Sequence, residues 1–362
     1  MTALTKPMSF SDSTTYGYTD KNGIFHGLKN DIIADRFIII EKLGSGAFGV
    51  CYLVFDLHNN EHYALKIIKR DPRYTSQAQK EKKILKTLNC LDTSKKLPFV
   101  RIIDDMMYEG HQIIVFEELG CNMYDLLYNG GFEGFEIITT HKFTISILKV
   151  LEFLAKPSIN IIHADLKPEN ILLNLTGDNV KVIDFGSSCQ KHSKTHTYIQ
   201  SRYYRAPEIV LGCGYGHPID MWSLGCMMVE LDNGKPLFKA TNETHLIILI
   251  VGLLGSPSID FLKTSKRHSD FFDKDFKLKQ FYDKDGKPYS VENRYLLDIC
   301  KTKDLIFVDF ISRCLTWEPT QRMTPVEALE HPFITKRGIV NSPIERFEKS
   351  EEPEEFEEFE LL

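Results

Sequence analysis

Between Ile161 and Gly186 the chain reads IIHADLKPENILLNLTGDNVKVIDFG, and this run restricts most what the rest can be. Asp165 is followed five residues on by Asn170 and nineteen residues on by Asp184. Phosphoryl transfer leaves a protein little covalent chemistry to perform. It needs a carboxylate to orient the attacking hydroxyl and oxygen ligands for hard Mg²⁺ ions. A loop followed by a short strand pair supplies both: Asp165 is placed to accept the hydroxyl hydrogen, Asn170 and Asp184 to hold metal. Lys167, two residues past Asp165, can reach the transferred group. Each residue alone fits a polar turn, and a lone D-F-G tripeptide is usually just that. The run H-A-D-L-K-P-E-N followed by D-F-G is not accounted for that way.

A second glycine-rich signal lies upstream. Gly44, Gly46 and Gly49 form a G-x-G-x-x-G between two apolar, β-branched runs, FIIIEKLG and VCYLVFDL. In dinucleotide-binding folds the last glycine of such a motif opens a helix; here Val50 continues as a strand. A glycine hairpin of this kind lets phosphates approach its backbone closely. Lys66, in the next run EHYALKII, is placed to pair with α and β phosphates, although a lysine at a strand end is more often a solvated edge charge. Gln77 to Leu88 reads as a helix with an apolar stripe at Ala78, Ile84, Leu85 and Leu88. Its Glu81 is the candidate partner of Lys66, against the alternative of a solvated face among Lys80, Lys82 and Lys83. Two further strand-like runs, Phe99 to Met107 and Gln112 to Phe116, precede a change to helical spacing near residue 119. That change, at Glu117 and Leu119, marks a hinge whose backbone would read an adenine ring, with Leu43, Val50, Ala64, Leu172 and Ile183 sandwiching it.

The remainder is helical, with Asn122 to Tyr128, Ile138 to Lys156 and an apolar helix opened by Ile219–Gly225. Asp220 in that helix is expected to tie down the backbone of the catalytic loop. Leu254 to Asn293 loses periodicity and looks like an insertion. The chain therefore divides into an extension (1–36), a two-lobed catalytic region (37–118 and 119–334) and a tail (335–362). With 43% hydrophobic and 26% charged residues the chain is an ordinary globular one. Of its net charge of −6, −7 falls between Glu345 and Leu362, where nine Glu face only Arg346 and Lys349. That tail is expected to be disordered. What precedes it carries about +1, with no basic clustering of the kind nucleic-acid binding needs. None of the eight cysteines forms a C-x-x-C pair, no apolar run opens the chain, and the longest such run is half a membrane span. These features lead us to expect a protein of the cytoplasm or nucleus that acts as a monomer, without membrane or nucleic-acid partners.

Three motifs together give a resemblance. H-A-D-L-K-P-E-N with D-F-G, the glycine hairpin with Lys66, and A-P-E at Ala206–Glu208 resemble the eukaryotic protein kinases over roughly Phe37 to Phe333. Ser187-Ser188-Cys189 directly after D-F-G, then YIQSRYYRAPE and YGHPIDMWSLGC, resemble the dual-specificity tyrosine-regulated kinases (DYRK) within the CMGC group. The homeodomain-interacting kinases are the nearest alternative. The resemblance implies an α+β bilobal kinase fold, with a small β-rich lobe and a larger helical one. It implies ATP and Mg²⁺ as cofactors, and phosphorylation of Ser and Thr in proteins, commonly with Pro after the target and Arg before it. By resemblance Phe116 guards the back of the nucleotide pocket, and Arg322 pairs with Glu208. Arg202 shapes the site that prefers Pro, and Asp125 and Glu169 lie where a substrate Arg would approach. Most kinases carry Arg where this chain has Ala164; DYRK enzymes lack that Arg too. The family's Tyr-x-Tyr appears as His196-Thr197-Tyr198, so only Tyr198 remains as the autophosphorylated residue, with Arg202 and Arg205 as the cations to hold its phosphate. A pseudokinase would have lost one of Lys66, Glu81, Asp165, Asn170 and Asp184; all five are present.

Overall fold

The computed structural model describes residues 19–190 and 199–335. Tyr198, the acidic tail and residues 1–18 lie outside them. The chain divides into two compact units, Met1–Lys96 with Val100–Glu118, and Leu97–Phe99 with Leu119–Leu362.

The first unit is a six-stranded antiparallel sheet in the order β1-β2-β3-β4-β6-β5. Its strands are β1 (Ile32–Ile33), β2 (Phe37–Gly46), β3 (Gly49–Asp56), β4 (Glu61–Ile68), β5 (Ile102–Tyr108) and β6 (His111–Glu117). On β3 strict alternation turns Val50, Tyr52 and Val54 inward, as a half-buried strand requires. Asp56, inward on the same face, is held by the Arg36 guanidinium at 2.7 Å. One helix, α1 (Pro72–Leu91), completes the unit. Asp71 caps it by accepting from the Arg73 N–H, and Pro72 fills the first turn, where an N–H is not needed.

Two expectations change here. The buried stripe of α1 is Ala78, Glu81, Leu85 and Leu88, with Glu81 where Ile84 was expected. Position 81 lies three residues after 78 and four before 85, on the same face, and a lysine partner makes its burial tolerable. The presumed extension is also part of this unit from Thr19 onward. Phe25 is 2% exposed, packed edge-on against Tyr52 and His111, and β1 pairs with β2. Tyr52 accepts the Gly27 N–H at 2.9 Å, and Thr19 Oγ1 meets His111 Nε2 at 2.8 Å.

The second unit is mainly helical: α2 (Met123–Asn129), α3 (Ile137–Ala155), α4 (Pro207–Val210), α5 (Pro218–Asn233) and α6 (Glu243–Leu254), with shorter helices after them. α5 is buried over nearly its whole circumference, as a helix at the centre of a core must be. At Gly225 it meets the helix Leu305–Cys314 so closely that a Cβ would lie 2.8 Å from Cys314 Cβ. Small two-stranded pieces flank the loop expected to carry the chemistry: β7 (Ile161–Ile162) with β10 (Cys189–Gln190), and β8 (Ile171–Leu173) with β9 (Val180–Val182). Phe99, expected at the start of a strand of the sheet, belongs to this unit instead. It stacks on Phe153, lies edge-on to Phe185 and bridges to Val182. No helix among the described residues is long and apolar enough to cross a membrane.

Candidate active site

In the first unit the glycine turn joins β2 to β3, with Ser45 opposite Val50 and Gly46 opposite Gly49. Its glycines serve different ends. Gly49 has φ +152 and no room, since a Cβ would sit 2.1 Å from the Ile67 carbonyl oxygen, so the sheet itself demands glycine. A Cβ on Gly44 or Gly46 would meet nothing within 4 Å. No neighbour in the chain requires glycine there, and the backbone is left open to close approach. Lys66 sits mid-sheet on β4, opposite Cys51 and Ile114. Its Nζ donates to both Glu81 carboxylate oxygens, at 2.9 and 3.0 Å. Glu81 is buried, while Lys66 keeps a fifth of its side chain exposed. Among the residues expected around a nucleotide in this unit, Val50 and Phe116 are buried, Ala64 is half-buried and Leu43 is 48% exposed. The Glu117 carboxylate is already used, accepting the Arg101 N–H at 2.8 Å.

In the second unit the loop between β7 and β8 is fixed from behind. Asp220, near the start of α5, accepts the His163 N–H at 2.8 Å through one oxygen and the Ala164 N–H at 2.9 Å through the other. Burial pushes its carboxyl above the usual range, and His163 with these two N–H groups opposes that. Ala164 has φ +66, a conformation costing about 1–3 kcal/mol for a residue with a Cβ, and the paired bonds from Asp220 hold it there. The His163 ring meets the Ile183 carbonyl at 3.0 Å and packs edge-on against the buried Phe185. Loop and D-F-G turn are thereby tied together, and Asp184 has φ +59.

The result is an organised carboxylate. Asp165 Oδ1 accepts from the Ser201 hydroxyl at 2.8 Å and the Ser201 N–H at 3.1 Å. Asp165 Oδ2 has only longer contacts, 3.3 Å from Asn170 Nδ2 and 3.5 Å from Lys167 Nζ. Asn170 also donates to the Asp165 backbone carbonyl at 2.8 Å, and Lys167 reaches the Ser201 hydroxyl at 3.3 Å. Asp165, Lys167 and Asn170 thus lie together. Leu172, on β8, and Ile183 and Leu119 are half-buried in the same unit. Ser201 was not anticipated, since a serine 36 residues from its partner has no local signal.

After Ser201 the chain turns through Arg205 to α4. Glu208 and Arg322 are fully buried and joined by two bonds of 2.7 and 3.0 Å. Gln200 has φ +66, and its carbonyl oxygen accepts from Arg205 Nη2 at 2.9 Å and Nε at 3.2 Å. Arg202, expected to shape the proline site, donates from its guanidinium to the Thr241 carbonyl at 2.7 Å. Arg205 is 2% exposed and also bonded to Glu243 at 3.1 Å; Tyr198, whose phosphate Arg202 and Arg205 were expected to hold, lies outside the described residues.

One acidic region completes this unit. Glu230, buried on α5, accepts from the Tyr204 hydroxyl at 2.6 Å. Burial pushes its carboxyl up to about 7, the Tyr204 bond opposes this, and the neighbouring Glu169 charge adds to it. Glu169 and Asp125 reach solvent, yet partial desolvation raises both carboxyls, and their charges repel.

Comparison with known proteins agrees with this geometry. The protein kinase domain model matches residues 37–334. Dual specificity tyrosine-phosphorylation-regulated kinase 4 of Homo sapiens is 43% identical over 331 residues, covering 91% of this chain and 63% of the relative. Dual specificity tyrosine-phosphorylation-regulated kinase 2 of Drosophila melanogaster is 40% identical, covering 91% and 45%. The DYRK-family kinase pom1 of Schizosaccharomyces pombe is 38% identical, covering 91% and 30%. The chain thus spans less than two-thirds of the length of these relatives.

Proposed function

Since the chain belongs to the protein kinase family, on its dual-specificity tyrosine-phosphorylation-regulated branch, we propose that it phosphorylates Ser and Thr hydroxyls of protein substrates with ATP. The observation that carries this reading is the Asp165 carboxylate, one oxygen held by Ser201 and the other left with long contacts only. Asp165 Oδ2 is the oxygen to which a substrate hydroxyl can give its hydrogen bond, oriented for attack. Lys167, already within reach of Asp165 and Ser201, faces the transferred group as a compact positive charge.

The residues present fit ATP with Mg²⁺. Mg²⁺ binds through one or two protein oxygens and keeps water and phosphate oxygens as its other ligands. Asn170 and Asp184 are such a set, and among the described residues there is no cluster of three or more His, Cys, Asp and Glu that would hold another kind of metal. Asn170 commits its amide nitrogen to the Asp165 carbonyl, which leaves its oxygen as the ligand. When bound, Mg·ATP supplies the phosphoryl group with its charge partly neutralised. Lys66, positioned by Glu81, takes the α and β phosphates, and the open backbone at Gly44 and Gly46 covers them.

Substrate choice follows from two features. The Gln200 carbonyl is turned onto Arg205, so it offers no acceptor to the N–H of the residue after the target. Proline, which has no N–H, loses nothing there. The carboxylates of Glu169 and Asp125, backed by Glu230, favour a substrate arginine, whose charge would relieve their repulsion. Autophosphorylation of Tyr198, with the cytoplasm or nucleus as the compartment and a monomeric state, belongs to the same proposal.

Exchange of Asp165 for Asn tests the reading. Asp165→Asn keeps the shape and removes the charge, and should cut peptide phosphorylation on the order of 10³-fold or more with melting temperature little changed. Turnover near the wild-type rate would overturn it.

A further inference from the structure

The carbonyl that faces Arg205 belongs to a residue in a left-handed conformation, and something must keep it there. Gln200 does so with its own side chain. It is 7% exposed, and every hydrogen-bonding group of its amide is occupied. Nε2 donates to the Ile219 carbonyl at 3.0 Å and to the Ser223 hydroxyl at 2.9 Å, both on α5. Oε1 accepts the Ala206 N–H at 2.9 Å. Ser223 in turn donates to the Tyr204 carbonyl at 2.8 Å, so both ends of the Tyr204–Ala206 turn are pinned to the same helix. Only a side chain with two donors and an acceptor on one planar group, three bonds from its Cα, satisfies this set.

We propose that the Gln200 side chain is the specificity-determining device for the residue after the phosphoacceptor, acting by locking its own backbone so that the carbonyl stays on Arg205. Arg205 alone is a shared restraint, since its guanidinium also serves Glu243. A residue with a Cβ pays a conformational cost at φ +66, and the three amide bonds offset it. Without them the backbone at 200 returns toward the extended region and its carbonyl becomes an acceptor for an incoming N–H. The advantage of proline then disappears. This inference rests on the kinase reading above and adds to it the residue that sets the preference.

Two peptides that differ only in Pro or Ala after the target serine decide it, as the ratio of their kcat/KM values. Wild type should favour Pro on the order of tenfold, the worth of one N–H left without an acceptor. Gln200→Met keeps the volume and strips all three bonds, and should bring the ratio to about twofold or less. Gln200→Ala keeps a Cβ, and with it the cost at φ +66, but lacks the lock, so it should relax the preference even if the Met variant folds poorly. A wild-type ratio retained in either folded variant overturns the inference, as does failure of both to fold, which would make the side chain a support of stability alone. No phosphorylation of either peptide by wild type would count against the kinase reading itself. Active wild type with no preference for Pro would leave that reading standing and remove the selectivity that Gln200 is held to set.

Discussion

Two ion pairs, one in each unit, are built from the same charges and differ in almost everything else. Lys66 and Glu81 meet at 2.9 Å on the sheet of the first unit, where the lysine keeps a fifth of its side chain exposed and the turn at Gly44 and Gly46 is open beside it. Glu208 and Arg322 are both at 0% exposure in the second unit. Arg322 also donates to the carbonyls of Pro218 and Thr316, at 2.7 and 2.9 Å, and its guanidinium lies over the Trp222 ring. A planar fork spends its donors in a fixed geometry, whereas an ammonium is a point charge that can be shared with a ligand. The first pair is arranged for use and the second for permanence.

The most severe way to break that contrast is to remove Arg322. Arg322→Met should cost about 3–5 kcal/mol of stability, because it strands the Glu208 charge in a dry interior and frees two buried carbonyls. Chemical denaturation measures it, and a loss below 1 kcal/mol would mean the pair is no keystone.

Lys66→Met should do the reverse. A fall in kcat/KM on the order of 10³-fold, about 4 kcal/mol of transition-state stabilisation, is expected with a stability loss smaller than that of Arg322→Met, because it takes one cation from Glu81 and no donor from a buried carbonyl. Comparable stability losses for Lys66→Met and Arg322→Met would erase the distinction between the two sites.

The smallest effect sharpens the comparison within the second unit, where Glu230 is a buried acid with no cation in its own hydrogen bond. Its folded pKa of about 7 lies above the ordinary glutamate value of 4.5, so the buried acid is neutral below that point. Its contribution to stability is therefore complete below about 4.5 and is lost as pH rises through 7. A substrate arginine gains from the ionised form. Between pH 6 and 8 the kcat/KM ratio of Arg-bearing to Ala-bearing peptides should rise, by roughly tenfold at most, as a group of that pKa ionises. A pH-independent ratio, or the same rise in Glu230→Gln, would rule Glu230 out as the source.

Legibility of the site in the sequence followed distance along the chain. Asp165, Lys167 and Asn170 were readable because they lie within one loop, and Gly49 because it completes the G-x-G-x-x-G spacing, although the demand for glycine there comes from Ile67 on the neighbouring strand. Lys66 and Glu81 were readable as a pair since each lies on a regular element whose period can be followed. Ser201 was not, because its bond to Asp165 spans 36 residues. Arg202 and Arg205 differ in where the turn after Gln200 points them, the one to the Thr241 carbonyl and the other to the Gln200 carbonyl, which no periodicity encodes. Glu81 lies on the buried face of α1, with Ile84 half-buried, because a paired charge can be buried, an exception that hydrophobic spacing alone does not anticipate.

The sequence by itself therefore determined the chemistry: a carboxylate, an amide, a second carboxylate and a lysine at spacings that suit phosphoryl transfer. It also determined most of the strands and helices, since local propensity and burial period act over a few residues. Tertiary structure alone decided how that chemistry is held and aimed. It set Asp220 behind the loop at Ala164, Ser201 against Asp165, and the amide of Gln200 on α5, with the Gln200 carbonyl on Arg205. Each of these is a hydrogen bond between groups distant in the chain, satisfied only because folding removes them from water together, where an unpaired partner would be costly.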